Sequence, residues 1–356
     1  MFYIFIFFFY ILLIFELKAE IKINKLEKLN DPWGITFIDK NNLIITEKNG
    51  KIKLYNLKKK KISYIQHNLN IYNHGQGGLL DIVYKNNVIW VSYSEKLKNS
   101  LSRTSIAKSK FNSNTLKFKN IFESYPPIKS SHHFGSRLVL QENYLFASLG
   151  ERGKGMIAQD GTKHPGSIIR IYNDGKIPES NPGLVNKNNW LPEIYQIGLR
   201  NPQGLELSPF NSEIYVTNHG AKGGDFFGKV SYGGNYGWKI LGWGGQNYIG
   251  TTIGAKWKKG FDKAIYYWTP SIGISSFVIY KGDEFLELSG MAIIGSLKYQ
   301  NLYALNFINS ATNPKKNLLI KEKLGRIRDI EVHPGNGKIY IISDKYLWMI
   351  EKLHKL

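Results

Sequence analysis

Along most of this chain, apolar and polar positions alternate with a period of two, in short runs punctuated by turn residues. That period predicts β-strands with one buried face. "PWGITFIDKNNLIITEKNGKIKLYNL" shows the unit. Ile35 to Ile38 predicts a strand, Asp39 to Asn42 a turn, and Leu43 to Thr46 a second strand. Asn49-Gly50 then predicts a hairpin before a strand over Ile52 to Leu57, because Asn-Gly tolerates the positive φ of a tight turn. The pattern returns from Gly78 ("GLLDIVYKNNVIWVSYSE"), Gly135 ("GSRLVLQENYLFASLGERG"), Asn201, Ile274 and Arg326. No stretch keeps a 3.6-residue period over a useful length, so long helices are not expected.

Repeats of roughly 56 residues, six in all, predict an all-β fold: a six-bladed β-propeller of four-stranded antiparallel sheets. A flat sandwich is the alternative, and six similar units argue against it. In a propeller, the loops leading into the innermost strands converge on one face of a central channel. Here they are Pro32-Trp33-Gly34, Gln76-Gly77-Gly78, His132-His133-Phe134-Gly135, Arg200-Asn201-Pro202-Gln203, Thr269-Pro270-Ser271 and Arg326-Ile327-Arg328-Asp329. They are polar, basic and aromatic, as a concave ligand site would be.

The start of the chain breaks this pattern. Phe2 to Phe15 is an unbroken apolar run, shorter than the roughly 20 residues that span a bilayer. It predicts a signal peptide over residues 1–19, cleaved after Ala19, with residues 20–356 forming a single propeller domain. Export follows, to the periplasm or beyond, with no stable membrane insertion after cleavage. A basic n-region is missing, and an uncleaved anchor is the alternative reading.

Composition changes the picture in two ways. The 356 residues carry a net charge of +21, which raises a nucleic-acid partner. The lysines are scattered, however, and the one dense run, Lys58 to Lys61, reads as a hairpin turn. No nucleic-acid partner is expected, although anionic ligands are favoured electrostatically. Cysteine is absent, which excludes disulfides, thiolate metal sites and Cys nucleophiles. Gly-x-Ser-x-Gly and His-Glu-x-x-His motifs are also absent, which argues against an esterase elbow and a helical zinc site. On residue type alone, His132 and His133 fit a base, a ligand or ordinary loop histidines.

Eleven stretches, in order from Asp31 to Asp344, then add a resemblance. They are "DPWGITF", "GQGGLLDIVY", "HHFGSRLVL", "LFASLGERG", "AQDGTKHPGSIIRI", "IYQIGLRNPQGLEL", "NHGAKGGD", "GGNYGW", "YYWTPSIGIS", "GSLK" and "RIRDIEVHPGNGKIYIISD". Together the chain resembles the soluble aldose (glucose/sorbosone-type) dehydrogenases that use pyrroloquinoline quinone (PQQ). The resemblance implies a six-bladed propeller, PQQ in the funnel, Ca2+ beside its quinone oxygens, and oxidation of an aldose sugar to the lactone. An external electron acceptor would complete the reaction.

Residue by residue, the resemblance makes His133 the catalytic base, a role that suits an imidazole. His132 is left open between a substrate contact and a cationic bystander. The resemblance makes Arg200, Asn201, Lys298, Arg326 and Arg328 cofactor contacts, puts Gln76 near the substrate, and stands Ser271 where relatives often carry Thr. It makes the carbonyls of Gly220 and Ala221 calcium ligands, with Asp225 supporting their loop; oxygen ligands suit this cation. Here the chain departs from the pattern: Ala221 and Phe226 stand where relatives usually have Pro and Glu, which puts metal affinity in question. A non-catalytic sugar- or ligand-binding propeller and a calcium-dependent propeller lactonase are the competing readings.

Overall fold

The structure, a computed structural model, describes residues 21–187, 189–308, 315–320 and 322–353. The expected signal peptide lies outside these residues. Among them, no helix is long and apolar enough to cross a membrane.

Six sheets stand around one channel. Their innermost strands are Pro32–Asp39, Leu79–Lys85, Gly135–Gln141, Pro202–Leu207, Ile274–Ile279 and Ile327–Val332, and they number blades 1 to 6. Each coincides with one of the repeats found in the sequence. Two features go beyond the expectation. Blades 1 and 3 gain a short fifth strand, Thr115–Leu116 and Gly234–Asn235, and each pairs parallel to its neighbour. The outermost strand of blade 6 comes from the other end of the chain: Ile21–Lys28 pairs antiparallel with Tyr346–Lys352. This closes the ring by joining the two ends of the chain in one sheet and covers the outer edge of Tyr346–Lys352.

The core lies between blades. Ile44 and Ile52 of blade 1 pack with Leu79, Ile82, Ile89 and Val91 of blade 2, and similar clusters join the other blades. Hydroxyls add a repeated stitch: Thr46 Oγ1 donates to Leu80 O (2.5 Å), Ser92 Oγ to Ser136 O (2.5 Å) and Thr217 Oγ1 to Ser275 O (2.6 Å). Each links the second strand of one blade to the first strand of the next. Such buried bonds contribute on the order of 1 kcal/mol each.

All six innermost strands carry a register shift at their channel-mouth end, for example between Gly135 and Leu138 and between Ile327 and Asp329. A bulge frees a backbone amide from the ladder and re-aims nearby side chains. Carboxylates meet several of the freed amides across blade boundaries. Asp329 Oδ2 accepts from Ile35 N (3.0 Å), Asp81 Oδ2 from Leu138 N (2.7 Å), and Asp225 Oδ2 from Ile274 N (2.9 Å). Arg137 plugs the channel between Asp81 (3.0 Å) and Asp329 (2.8 Å), its guanidinium 4.0 Å from the Trp33 ring. Below this plug, Glu206 and Glu331 line the lower mouth with Asp81 and Asp329.

Candidate active site

Above the Arg137 plug the bulged strand ends enclose a cavity of about 300 Å3. Its walls include Trp33, Lys48, Gln76, His133, Phe134, Arg200, Asn201, His219, Tyr248, Arg326 and Arg328. No Asp or Glu is among the residues that line it. Blades far apart in sequence thus bring basic and aromatic groups to one place.

His133 is held from several sides. Its φ is +49°, a conformation that a non-glycine residue adopts only under local constraint. Its amide donates to Gln76 Oε1 (2.8 Å), and Gln76 N donates to Ser131 O (2.8 Å), so the two loops interlock. Gly150 passes so close that a Cβ there would lie 2.2 Å from His133 O; only glycine fits. Arg152 braces the same loop through His132 O (3.1 Å), Ser102 O (3.1 Å) and Ser130 O (2.5 Å), with its guanidinium 3.7 Å from the Phe134 ring.

Glu151 completes the arrangement. Its Oε1 lies 2.5 Å from His133 Nδ1, and its Oε2 accepts from Gly155 N (2.7 Å). Burial works to raise the Glu151 carboxyl, but His133 and the Gly155 amide outweigh it and hold it below its usual range. Burial depresses the His133 imidazole against the opposing pull of Glu151. At neutral pH the pair is therefore carboxylate and neutral imidazole. The ionised carboxylate can only accept, so it keeps the ring proton on Nδ1 and leaves Nε2 as the ring nitrogen able to accept a proton.

Lys48 pairs with Asp31 (3.0 Å), but the arginines are poorly compensated. Arg200 is buried at 7% exposure and has no carboxylate within ion-pair distance among the described residues. Its guanidinium lies 5.4 Å from the Trp238 ring. Burial, then repulsion from Arg326, lowers Arg328 to about 10, and its Nε has no hydrogen-bond partner. An unpaired buried cation is costly, so the chemistry of this set suits an anionic ligand. Burial likewise pushes His219 down to about 4, and its buried Nε2 is unpartnered.

Of the residues singled out in the sequence, His133, Gln76, Arg200, Asn201, Arg326 and Arg328 line the cavity. Asn201 Oδ1 accepts from Gly135 N (3.1 Å), which ties blade 4 to the His133 loop. Ser271, Lys298, Gly220, Ala221 and Asp225 are not lining residues. They form a connected group in which Asp225 Oδ1 accepts from Gly220 N (2.9 Å) and Ser271 Oγ (2.8 Å), and Lys298 Nζ approaches Ser271 O (3.4 Å). Asp225 is thus committed to bracing backbone, and a cation here would rest on carbonyl oxygens. Among the described residues, no cluster of three His, Asp or Glu side chains is placed to hold a metal. Ala221 N donates to Gly223 O (3.0 Å), a bond that a proline could not make. Phe226 packs with Tyr236 and Trp243 in the aromatic core. His132 is exposed, with its ring 6.1 Å from that of His133.

Glu151, Arg152 and His219 were not singled out in the sequence. Glu151 and Arg152 sit in "LGERG", two residues that look like an ordinary strand-end turn.

Comparisons with known proteins show the family and the fold. The glucose/sorbosone dehydrogenase family profile matches residues 29–347. The aldose sugar dehydrogenase YliI of Escherichia coli K12 is 30% identical over 332 residues, covering 90% of this chain and 88% of that protein. The apo-form crystal structure of the soluble aldose sugar dehydrogenase from Escherichia coli superposes with a TM-score of 0.88 at 28% identity, covering 94% of this chain and 100% of that one. The PQQ-bound aldose sugar dehydrogenase of Streptomyces coelicolor shares the fold, with a TM-score of 0.74 at 20% identity, covering 94% and 98%.

Proposed function

Because the chain belongs to the glucose/sorbosone dehydrogenase family and is an oxidoreductase of the aldose sugar dehydrogenase kind, we propose that it oxidises aldoses at the anomeric carbon to the lactone, using PQQ and Ca2+. The observation that carries this reading is the carboxylate-free cavity, in which buried Arg200 and half-buried Arg328 face a neutral His133. PQQ bears three carboxylates, and the unpaired guanidinium groups and the orphaned Arg328 Nε fit such a ligand.

When bound, PQQ supplies the hydride acceptor and the calcium polarises the accepting carbonyl. The residues of this chain do the rest. Arg200, Arg326 and Arg328 would bind the anion, and Lys298 and Ser271, which stand outside the cavity lining, are the further contacts that the family resemblance implies. Gly220 and Ala221 offer carbonyl oxygens to the cation, held in place by Asp225. His133 Nε2 takes the proton of the anomeric hydroxyl while Glu151 holds the opposite ring nitrogen protonated. Loss of that proton from oxygen and of hydride from the anomeric carbon leaves the lactone carbonyl. Gln76 positions the His133 loop beside the sugar. Export by the N-terminal apolar segment completes the proposal.

The test is to add PQQ and Ca2+ to the purified protein and follow reduction of a neutral dye by a panel of aldoses. PQQ-dependent turnover lost on chelation is expected; no PQQ-dependent turnover with any aldose would sink the reading.

A further inference from the structure

The cavity mouth is overhung by the long excursion between the third and fourth strands of blade 4, Asp225–Lys229 and Tyr266–Trp268. Residues 230–265 carry one carboxylate, Asp262, which accepts from Gln196 Nε2 (2.7 Å), against Lys239, Lys256, Lys258, Lys259 and Lys263. Lys229 pairs with Glu213, whereas Lys239, Lys256, Lys258 and Lys259 are exposed and pair with no described carboxylate. Among them stand exposed apolar tips: Tyr248 at 68%, Ile249 at 86%, Trp257 at 43% and Ile240 at 39%.

Backbone bonds fold the excursion back on itself. Gly242 N donates to Ala255 O (2.9 Å), and Asn247 N to Thr251 O (2.7 Å). A Cβ at Gly155 would lie 3.2 Å from Lys239 Cδ, which brings exposed Lys154 and Met156 of blade 3 alongside. Tyr248 belongs both to this patch and to the cavity wall.

An apolar centre of Tyr, Trp, Ile and Met within a basic surround has the make-up of a protein-docking surface. Its charge selects an acidic partner and steers the encounter. The chemistry of the site says what that partner must do. Each aldose oxidised leaves two electrons and two protons on the cofactor, and the cofactor must be reoxidised through this mouth.

We propose that the blade 4 overhang is the docking surface for an acidic, one-electron carrier protein that reoxidises the cofactor. Two carrier molecules take one electron each, and two protons go to water. Brief, low-area contacts suit such exchanges. This inference rests on the dehydrogenase reading above.

The test uses the K239E/K258E/K259E variant, which leaves the cavity walls untouched, with an acidic single-haem c-type cytochrome as probe. Binding of the cytochrome to the PQQ-free protein is measured at about 10 mM and about 200 mM salt. Wild type is expected to bind more tightly at low salt, and the variant to lose about tenfold or more of that affinity. With PQQ and Ca2+ added, cytochrome reduction should fall by a similar factor while neutral-dye turnover stays unchanged. Equal cytochrome binding by variant and wild type, or binding indifferent to salt, overturns the proposal. So does capture of the wild type by phosphatidylglycerol vesicles with no binding to the cytochrome. If neither dye nor cytochrome is reduced, the dehydrogenase reading fails, and the PQQ-free binding measurement still decides the surface.

Discussion

Glu151→Gln isolates the His133 pair with almost no change in shape. The carboxylate accepts twice, from His133 Nδ1 at 2.5 Å and from Gly155 N at 2.7 Å. A glutamine side chain has one acceptor oxygen and one donor NH2. If the oxygen faces Gly155, the NH2 faces Nδ1 and favours the tautomer with its proton on Nε2, the wrong one for a base. If the oxygen faces Nδ1, two donors meet at Gly155. A donor left without its acceptor costs about 1–3 kcal/mol, which is about 5- to 150-fold at 1.4 kcal/mol per decade. The expected fall in kcat/KM is therefore about 10- to 100-fold in the dye assay. The pH profile gives a second and sharper readout. Burial depresses the His133 imidazole, and the Glu151 hydrogen bond and charge oppose that effect. With the charge gone, burial acts unopposed, and the acid limb of kcat/KM moves to lower pH. A merely structural role for Glu151 would lower the rate without moving the limb. An unchanged rate, or a limb displaced to higher pH, would refute the assignment.

Three further outcomes follow from other parts of the molecule. Arg200→Met removes a buried, unpaired guanidinium and should weaken PQQ binding by about 10- to 100-fold, the size of one charge-assisted contact, read by absorbance titration of the PQQ-free protein. Burial, with Asp329 and Asp81 nearby, raises Glu206 to about 8. A carboxyl raised above its unfolded value contributes stability that is present at low pH and lost as pH climbs from about 4.5 through about 8. Glu206→Gln should therefore raise Tm more at pH 9 than at pH 5, by about 2 °C or more, and equal shifts at both pH values would count against the buried-charge account. Deleting residues 21–28 strips the outer strand from blade 6 and should lower Tm by about 10 °C or more, with aggregation through the bared Tyr346–Lys352 edge; an unaltered melt would show that the ring does not depend on this closure.

Much of this architecture was legible in the sequence because the cues are local. A period of two and turn residues such as Asn49-Gly50 depend only on neighbours in the chain. They placed the six innermost strands, and the loops leading into them pointed to the channel mouth. What the sequence could not express was anything set by residues far apart. The pairing of Ile21–Lys28 with Tyr346–Lys352 joins opposite ends of the chain, and no pattern in either strand names its partner. The bulges decide which side chains turn inward: simple alternation would put Arg326 and Arg328 on one face, but a register shift falls between Ile327 and Asp329, and both line the cavity nonetheless.

The site divides along the same line. His133, Arg200, Asn201 and the paired arginines were marked by their motifs. Glu151 looked like part of a turn until the fold set its carboxylate against His133; Asp225 was expected to support the Gly220 loop, but its bonds to Ser271 and Ile274 of the next blade were visible only in the fold. By itself the sequence determined the strands, the repeat and the residue types offered to the channel. The tertiary structure decided their partners, because hydrogen bonds, burial and charge compensation act through space. Those interactions leave Arg200 a buried cation without a carboxylate partner and His133 a neutral imidazole.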